Sequence, residues 1–509
     1  VITIGCVDFH DVPKNRLITN MDHRLWLIFC FLFKPCSRST TKNDYLHMAI
    51  LYNIDSVFMN KKTIINVIVF FLIPVQLFIF TFLVPPFQKP DEQAHFEQSL
   101  IIGKGHLFCQ KKSNNTVPLE KKYVDFIKNP YLDLLTHGKP SKLPLQTFLK
   151  DLFSNNQSNK LISFNVDHLC SFPLISYLPQ AFILRILSLI NISPILSIYL
   201  ARLMMSILGY FWFLYLYKKI NDNYKLIILF TFALPMTLHQ VSSLSYDVLH
   251  IMFALTFFTL IMNKNKGVIN HTTTKYIKIF LILFLFLASK KIGYETFFLF
   301  LFLIPIKIKP MIISNLIFFP VYLLSKSSGS YDIQASLTSS TIDPLHQLNF
   351  LISNPLNIFN VLITTTVQRF TFYLQSLIGI FGWLEYGLDP LSYFIYGLFF
   401  VYVLINVETR HASSLQKNKK ILLFLTLIIS YVFIILLAYV FNTIPGILTA
   451  HGVQGRYFIP FLPFMILLLI QFKPKLKHLQ NIKINEFIIN SIYFLVVVYL
   501  ILATFYSVF

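Results

Sequence analysis

Charged residues are scarce in this sequence, where they make up 13% of 509 residues, about half the fraction found in soluble domains. The chain also lacks zinc-type Cys/His spacing, a phosphate-cradling glycine-rich loop and a GxSxG motif. No internal repeat is visible. A soluble nucleotide-hydrolysing enzyme therefore has no support.

Apolar residues dominate instead: 55% of the chain is hydrophobic, with 54 phenylalanines and a mean hydropathy of +0.63. Several apolar runs reach the roughly 20 residues that cross a bilayer. The net charge of +21 would suggest nucleic acid for a soluble protein, but lysine and arginine also collect in the cytoplasmic loops of membrane proteins. The sequence predicts an all-α polytopic membrane protein with no nucleic-acid partner.

Residues 1–58 differ from the rest of the chain, because their longest apolar run, 25–33, is too short to span a membrane. From Met59, a short basic stretch and a long apolar core resemble a signal anchor without a cleavage site. We expect Met59 to be the natural initiator and 1–58 to be translated upstream sequence; a disordered cytoplasmic tail is the alternative.

About eleven spanning helices, and up to thirteen, are predicted, with the N-terminus inside and the C-terminus outside. The apolar segments lie at 64–84, 194–217, 224–240, 246–262, 276–289, 294–307, 310–324, 390–406, 420–441, 457–472 and 486–507. They divide the chain into a first transmembrane helix (59–84), a long first outer loop (85–193), a helix bundle (194–324), a second outer loop (325–389) and C-terminal helices (390–509).

The stretch 173–190 decides the topology. If it lies on the membrane surface, nineteen basic residues fall in inner loops, and the short outer loops together with 325–389 hold only five, as the positive-inside rule requires. We therefore predict an amphipathic interfacial segment with Arg185 at the polar boundary. The stretch 356–383 stays open between a re-entrant hairpin and two further spans.

The unusual polar clusters of the sequence all fall at outer helix ends in this topology: KPDEQAHFE, SSLSYD, SKKIGYE, WLEYGLD and HGVQGRYF. Polar residues that converge on one membrane face predict a single outward-facing site.

Asp91 and Glu92 are adjacent carboxylates directly behind the first span. Such a pair suits a general base with a neighbour that orients it, or a divalent cation such as Mg²⁺ or Mn²⁺. The alternative is an acidic cap at the positive end of a helix.

Arg456 follows Gly452 and Gly455, which would let the backbone approach a ligand closely. A guanidinium there suits phosphate or diphosphate. The alternative is a snorkelling interfacial arginine beside Tyr457.

Lys290 and Lys291 break the charge rule on the outer side, which predicts an anionic partner such as a lipid phosphate or the Asp91–Glu92 pair. A plain interfacial anchor is the alternative.

For Ser245 and Asp247 we expect a helix N-cap, with a hydrogen bond to a sugar or to the two lysines as the other possibility. Cys109 and Cys170, both in the first outer loop, make a disulfide possible without requiring one.

Five stretches, in order, resemble the bacterial membrane family called domain of unknown function 2142: PPFQKPDEQAHFEQS, PLISYLPQAFILRILSL with LSIYLARLMM, LPMTLHQVSSLSYDVL, ASKKIGYETFFLFLFLIP and GVQGRYFIPFLPF. The resemblance covers about residues 64–472. That family is similar in layout to C-type (GT-C fold) glycosyltransferases, polytopic enzymes that take a sugar from a polyprenyl-phosphate carrier. KPDEQAH departs from the expected PPDE-like motif but keeps the acidic pair.

The resemblance implies a GT-C-like glycosyltransferase of the bacterial cytoplasmic (inner) membrane, acting on its outer face in cell-surface polysaccharide assembly. A polyprenyl-phosphate sugar would be the donor and a glycan or glycolipid the acceptor. Asp91 would be the catalytic base and Glu92 its partner. The residues expected to bind the substrate or its phosphate are His95, Tyr246, Asp247, Lys290, Lys291, Tyr294, Gln454, Arg456 and Tyr457. A transporter or flippase of lipid-linked sugars is the alternative.

Overall fold

The computed structural model describes residues 65–66, 68–108, 115–128, 152, 158–263, 272–290, 293–304, 308–327, 342–382, 384, 386–407 and 417–471. All of them belong to one compact unit, Asn60–Phe509. The predictions for residues 1–58, Met59, Cys109, Lys291 and the apolar segment 486–507 fall outside the described residues.

The described chain is mostly helical. Its α-helices are α1 (Ile73–Phe82), α2 (Glu92–Gly103), α3 (Lys121–Ile127), α4 (Leu178–Leu189), α5 (Pro194–Lys219), α6 (Lys225–Ala233), α7 (Pro235–Val241), α8 (Asp247–Met262), α9 (Thr272–Ala288), α10 (Ile308–Ser327), α11 (Pro344–Ser353), α12 (Leu356–Ile378), α13 (Pro390–Asn406), α14 (Lys417–Asn442) and α15 (Leu462–Gln471). A π-turn (Ile68–Leu72) precedes α1, and 3₁₀-helices run over Glu295–Leu303 and Gly455–Phe461.

Two of the described helices, α5 and α14, are long and apolar enough to cross a membrane, each with 26 residues. At 1.5 Å per residue they reach about 39 Å, more than the hydrocarbon core of a bilayer. Two bent helix pairs raise the number to four if each is one span. Most other predicted spans form shorter apolar helices in the described part of the chain, as expected of a helical membrane protein with broken segments.

The predicted span 224–240 is broken between α6 and α7. Leu234 adopts an extended conformation (φ −61°, ψ 133°) because Pro235 disfavours a helical residue before it. Asp222–Ala233 and Pro235–Val241 are bent by 70°. A group of buried polar residues, His239, Gln240, Ser242 and Ser243, lies at the end of α7.

The stretch 356–383 makes one continuous helix, α12, followed by a short hairpin in which β3 (Ile380–Phe381) pairs antiparallel with β4 (Tyr386–Gly387). Helix α11 precedes α12 at an angle of 114°. The bend follows Asn354 and Pro355, where proline cannot continue the preceding helix's hydrogen bonds.

The described part of the first outer loop has a small core of its own and contains a strand pair, whereas the sequence predicts an all-α protein. Strands β1 (Thr116–Glu120) and β2 (Leu161–Asn165) pair antiparallel, with Thr116 opposite Asn165. Helix α3 packs on them. A hydrophobic cluster joins this pair to α2 and to the inner faces of α4 and α5. The described part of the loop is therefore packed against these helices.

Helix α4 is amphipathic, as predicted for 173–190. It buries Ala181, Leu184 and Leu187 against α2 and leaves Leu178, Phe182, Ile186 and Leu189 exposed along its other face. The helices approach closely because Gly103 has no side chain: a Cβ there would lie 2.9 Å from the carbonyl oxygen of Ala181. Arg185 is exposed beside the apolar stripe.

A fully buried arginine connects α5 to the first outer loop. The Nε of Arg202 donates to Oε1 of Glu92 at 2.8 Å, and its Nη2 donates to Oε2. The same guanidinium donates to three carbonyl oxygens, that of Thr81 in the last turn of α1 and those of Val84 and Pro85 directly after it. Both Arg202 and Glu92 have 0% exposed side chains. Glu92 is therefore a buried ion-pair partner and does not reach the surface.

Gly455 lets the 3₁₀-helix Gly455–Phe461 rest directly on α12. A Cβ at Gly455 would clash with the carbonyl oxygen of Tyr373 and the amide nitrogen of Leu377. Its own N–H donates to Oγ of Ser376 at 2.7 Å. Gly452 has φ +81°, where a non-glycine residue would be strained. Gly455 thus serves close chain packing, and Gly452 serves a turn that favours glycine.

Removing one partner of the buried pair should strongly destabilise the protein. We expect Arg202→Met to lower the free energy of unfolding by about 3–5 kcal/mol, because Glu92 would remain buried and unpaired. Thermal unfolding of the detergent-purified protein measures this. Arg185→Met, which replaces an exposed arginine, is the matched control and should leave the midpoint nearly unchanged.

The same pair should show coupling. The double variant Glu92→Leu/Arg202→Met leaves no isolated charge, so its loss should be smaller than the sum of the two single losses. Strictly additive losses would contradict a direct interaction between the two side chains.

Gly455→Ala should displace the 3₁₀-helix from α12, because the nearest atoms are backbone and cannot rotate away. We expect a loss of about 1–3 kcal/mol in unfolding free energy. Gly397→Ala in α13 is the control, since a Cβ there meets no atom within 4 Å. Equal unfolding midpoints for the two variants would refute the close packing at Gly455.

Candidate functional site

Asp91 occupies the residue before α2 in a left-handed conformation, with φ 57° and ψ 14°. A non-glycine residue in this region stores roughly 1–3 kcal/mol of strain and persists only where its surroundings hold it. The side chain makes no capping hydrogen bond, and 51% of it is exposed. Asp91 therefore does not cap α2 through a side-chain hydrogen bond.

Lys89 anchors the chain on the other side of Asp91. Its Nζ is buried and donates to Oγ of Ser242 at 2.8 Å, to the carbonyl oxygen of Ser242, and to that of His239 at 3.4 Å. These carbonyls close the C-terminal end of α7, where a cation is favourable. Burial, followed by the charge of Arg202, lowers the pKa of Lys89 well below its ordinary value. Asp91 is thus held between Lys89 and the Glu92–Arg202 pair.

Arg456 faces Asp91 from the start of the 3₁₀-helix Gly455–Phe461. Its Nη2 lies 3.9 Å from Oδ2 of Asp91, longer than a hydrogen bond. The arginine side chain is only 6% exposed, so it does not snorkel. Its Nε has no hydrogen-bond partner among the described residues. A buried guanidinium with a donor still available is suited to an anionic ligand.

Lys290 has its anionic partner within the protein. Its Nζ donates to Oδ1 of Asp247 at 2.9 Å. For Asp247 this is the second of the two predicted roles, a hydrogen bond to a lysine in place of a helix N-cap. Ser245, whose Oγ accepts from the N–H of Asp247 at 3.1 Å, contributes to the start of α8. The anionic partner predicted for this lysine is thus neither Asp91 nor Glu92.

Three tyrosine rings surround the same ammonium group. Nζ of Lys290 lies 5.2 Å from the ring centroid of Tyr246, 5.0 Å from that of Tyr294 and 4.5 Å from that of Tyr457. The hydroxyl of Tyr294 donates to the carbonyl oxygen of Tyr457 at 3.0 Å. The ring of Tyr457 is also 5.6 Å from Cζ of Arg456, so this tyrosine contacts both cations.

Tyr246 connects the acidic and basic parts of the cluster. It is half-buried, and the charges of Asp247, Arg456 and Asp91 all lie close enough to act on it. Its ring lies 4.9 Å from the ring of His95, whose Nδ1 is 2.6 Å from the hydroxyl of Tyr177. The site therefore extends from Asp91 along α2 to His95.

Most of the predicted site residues meet in space. The assembled set comprises Asp91, His95, Tyr246, Asp247, Lys290, Tyr294, Arg456 and Tyr457. Gln454 is half-buried beside it, and its carbonyl oxygen accepts from the N–H of Tyr457 at 3.0 Å. Lys291 lies outside the described residues.

A divalent cation does not fit between Asp91 and Glu92. Both oxygens of Glu92 are bonded to Arg202, which leaves one available carboxylate and places a positive charge beside it. In the described part of the chain no group of three or more His, Cys, Asp or Glu side chains is arranged to hold a metal ion.

Several residues important to the site were missed by sequence reasoning. Arg202 carried a usable signal, because a charge inside an apolar helix requires a partner. Lys89 lay within the acidic motif but had no predicted contact, and Tyr177 and His239 gave no local signal. Cys170 is disulfide-bonded, and its partner cysteine lies outside the described residues.

Comparison with known proteins bears on nearly the whole described chain. The family model DUF2142, whose description is a predicted membrane protein, matches residues 70–465. No curated protein and no solved structure matches the chain. The matched range covers α1 to α14, the start of α15 and every residue of the assembled site. The chain therefore belongs to the DUF2142 family of predicted membrane proteins.

Proposed function

We propose that this protein is an integral membrane glycosyltransferase of the bacterial cytoplasmic membrane. It transfers a sugar from a polyprenyl-phosphate donor to a glycan or glycolipid acceptor in cell-surface polysaccharide assembly. The supporting observation is the facing pair Asp91 and Arg456: a half-exposed carboxylate in a strained conformation, 3.9 Å from a buried guanidinium whose Nε has no partner in the described chain.

The proposed architecture is that of a GT-C-like enzyme with about eleven spans and the site on the outer face. α5, α14 and the two bent pairs supply spans by length and composition. The exposed apolar stripe of α4 favours an interfacial position for this helix, which leaves the basic loops inside.

Asp91 would act as general base in this reaction. Its carboxylate removes the proton from an acceptor hydroxyl, and the resulting oxygen attacks the anomeric carbon of the donor sugar. The bond between that carbon and the phosphate oxygen breaks, and the lipid phosphate leaves with the bonding electrons. Arg456 stabilises the charge that develops on the leaving oxygen.

Lys290 supports this arrangement without contacting the reacting atoms. Because its charge is balanced by Asp247 and its Nζ lies among three tyrosine rings, it fixes α8 against the 3₁₀-helix that carries Arg456. Glu92 contributes through its ion pair with Arg202, which fixes the start of α2 next to Asp91. The catalytic carboxylate is then Asp91 alone.

A transporter or flippase of lipid-linked sugars is the second candidate, and one observation favours it. The described chain has two bent helix pairs, α6 with α7 and α11 with α12, and discontinuous helices are common at transporter binding sites. Proteoliposomes loaded with donor lipid separate the candidates, because a flippase moves the lipid between leaflets without consuming its sugar bond.

Asp91→Asn should abolish sugar transfer and leave the fold intact. Asparagine tolerates the left-handed conformation and the aspartate makes no capping bond, so we expect an unchanged unfolding midpoint. Loss of the base should lower the transfer rate by about 10²–10⁴-fold. The assay uses purified protein and a panel of polyprenyl-phosphate sugars.

Asp125→Asn is the matched control, because Asp125 is an exposed aspartate on α3 outside the site. It should transfer sugar at the wild-type rate. Transfer that persists in Asp91→Asn, or a fall in stability without a separate loss of rate, would refute the assignment of Asp91 as the base.

A further inference from the structure

His239 lies buried in α7 with both ring nitrogens available. It is 1% exposed, and neither Nδ1 nor Nε2 has a hydrogen-bond partner among the described residues. Its ring contacts two phenylalanines, with centroids 5.5 Å from Phe80 and 5.0 Å from Phe381. A buried imidazole without partners is costly, so its retention points to a ligand or a structural need.

Two further buried N–H donors, one of Gln88 and one of Arg456, lie in the region of His239. The side-chain Nε2 of Gln88 and the Nε of Arg456 also lack partners in the described chain. Gln88 lies beside the β3–β4 hairpin: the carbonyl oxygen of Gln88 would be 3.9 Å from a Cβ placed on Gly382. Gly382 follows Phe381, which contacts the ring of His239. The charge of Arg456 acts on the ring of His239. We call Gln88, His239 and Arg456 the donor cluster.

Three basic side chains, Lys89, Arg202 and Arg456, lie near His239. Lys89 is held by oxygens of Ser242 and Arg202 by Glu92, which leaves Arg456 with an uncommitted donor. Several N–H donors that include an uncommitted guanidinium match a group that has only acceptor oxygens and carries negative charge, which is the chemistry of a phosphate ester.

We propose that the donor cluster binds the phosphate group of the sugar donor, and that His239 is a phosphate-binding residue. This inference rests on the proposed function. It goes further by placing the phosphate group next to α7 and Gln88. Lys290 is then not a phosphate ligand, because its charge is already balanced by Asp247. The phosphate lies between the residues that hold Asp91 in place, which puts the leaving oxygen beside Arg456.

Direct binding of farnesyl phosphate to the detergent-purified protein tests this inference without any sugar transfer. Isothermal titration compares farnesyl phosphate with farnesol, which has the same chain and no phosphate, and with inorganic phosphate. We expect farnesyl phosphate to bind and farnesol to bind much more weakly. Inorganic phosphate that competes with equal affinity would assign the site to free phosphate.

His239→Phe is the decisive variant. Phenylalanine suits the contacts with Phe80 and Phe381 and removes two buried nitrogens without partners, so the unfolding midpoint should be equal or higher. Its affinity for farnesyl phosphate should fall about tenfold, the effect of one charge-assisted hydrogen bond. His239→Gln, which keeps an N–H donor, should retain part of the affinity.

His346→Phe, at an exposed histidine of α11, is the matched control and should bind as the wild type does. Unchanged affinity in His239→Phe, or no binding of farnesyl phosphate by the wild type, would overturn the inference. If His239→Phe does not fold, His239→Gln decides: a stable variant with wild-type affinity also overturns it. Binding that depends on His239 without measurable transfer would refute only the proposed reaction.

Discussion

The buried ion pair between Arg202 and Glu92 determines how the first outer loop meets the helices. Arg202 brings five donor groups into a region without water, and each has to find an acceptor there. Glu92 and the carbonyls that end α1 supply them. The end of α1, the start of α2 and the middle of α5 are thereby fixed to one guanidinium. A shift of any of these segments would leave a charge unpaired in an apolar interior.

The position of Asp91 follows from this constraint. Glu92 is drawn inward by Arg202, and Lys89 is drawn toward the end of α7. Pro90 and Asp91 have to connect these two anchored residues, and Asp91 does so in a left-handed conformation. Two adjacent acids therefore have separate roles, because the buried one stabilises the turn that presents the exposed one. The strain at Asp91 is sustained by contacts outside the residue itself.

Sequence reasoning predicted which helix ends meet, but not how their side chains pair. The positive-inside rule and the positions of the apolar runs brought Asp91, Asp247, Lys290 and Arg456 to one side, and the structure brings these four into one cluster. Adjacency alone could not tell that Glu92 faces inward, since that depends on Arg202, 110 residues away. The partner of Lys290 could not be predicted either, because it depends on how α8 and α9 pack against each other.

The fold was predicted well where signals are local and less well where they are not. α5 and α14 match predicted spans closely, because a long apolar run with basic residues at one end is a local pattern. The break at Leu234 could have been read from Pro235. The β1–β2 pair joins segments about 40 residues apart, and short strands paired at that distance leave little trace in either sequence.

The cations of the site differ in how far their charges are already balanced, and this difference decides what they can do. Lys290 and Arg202 each have a carboxylate within hydrogen-bond distance, so a ligand would have to displace that carboxylate. The gap between Arg456 and Asp91 is too long for a hydrogen bond, although both groups are charged. A close pair would have occupied both the carboxylate and the guanidinium. At 3.9 Å the two groups do not hydrogen-bond each other, which is the arrangement that the proposed reaction requires of Asp91 as base and of Arg456 beside the leaving phosphate.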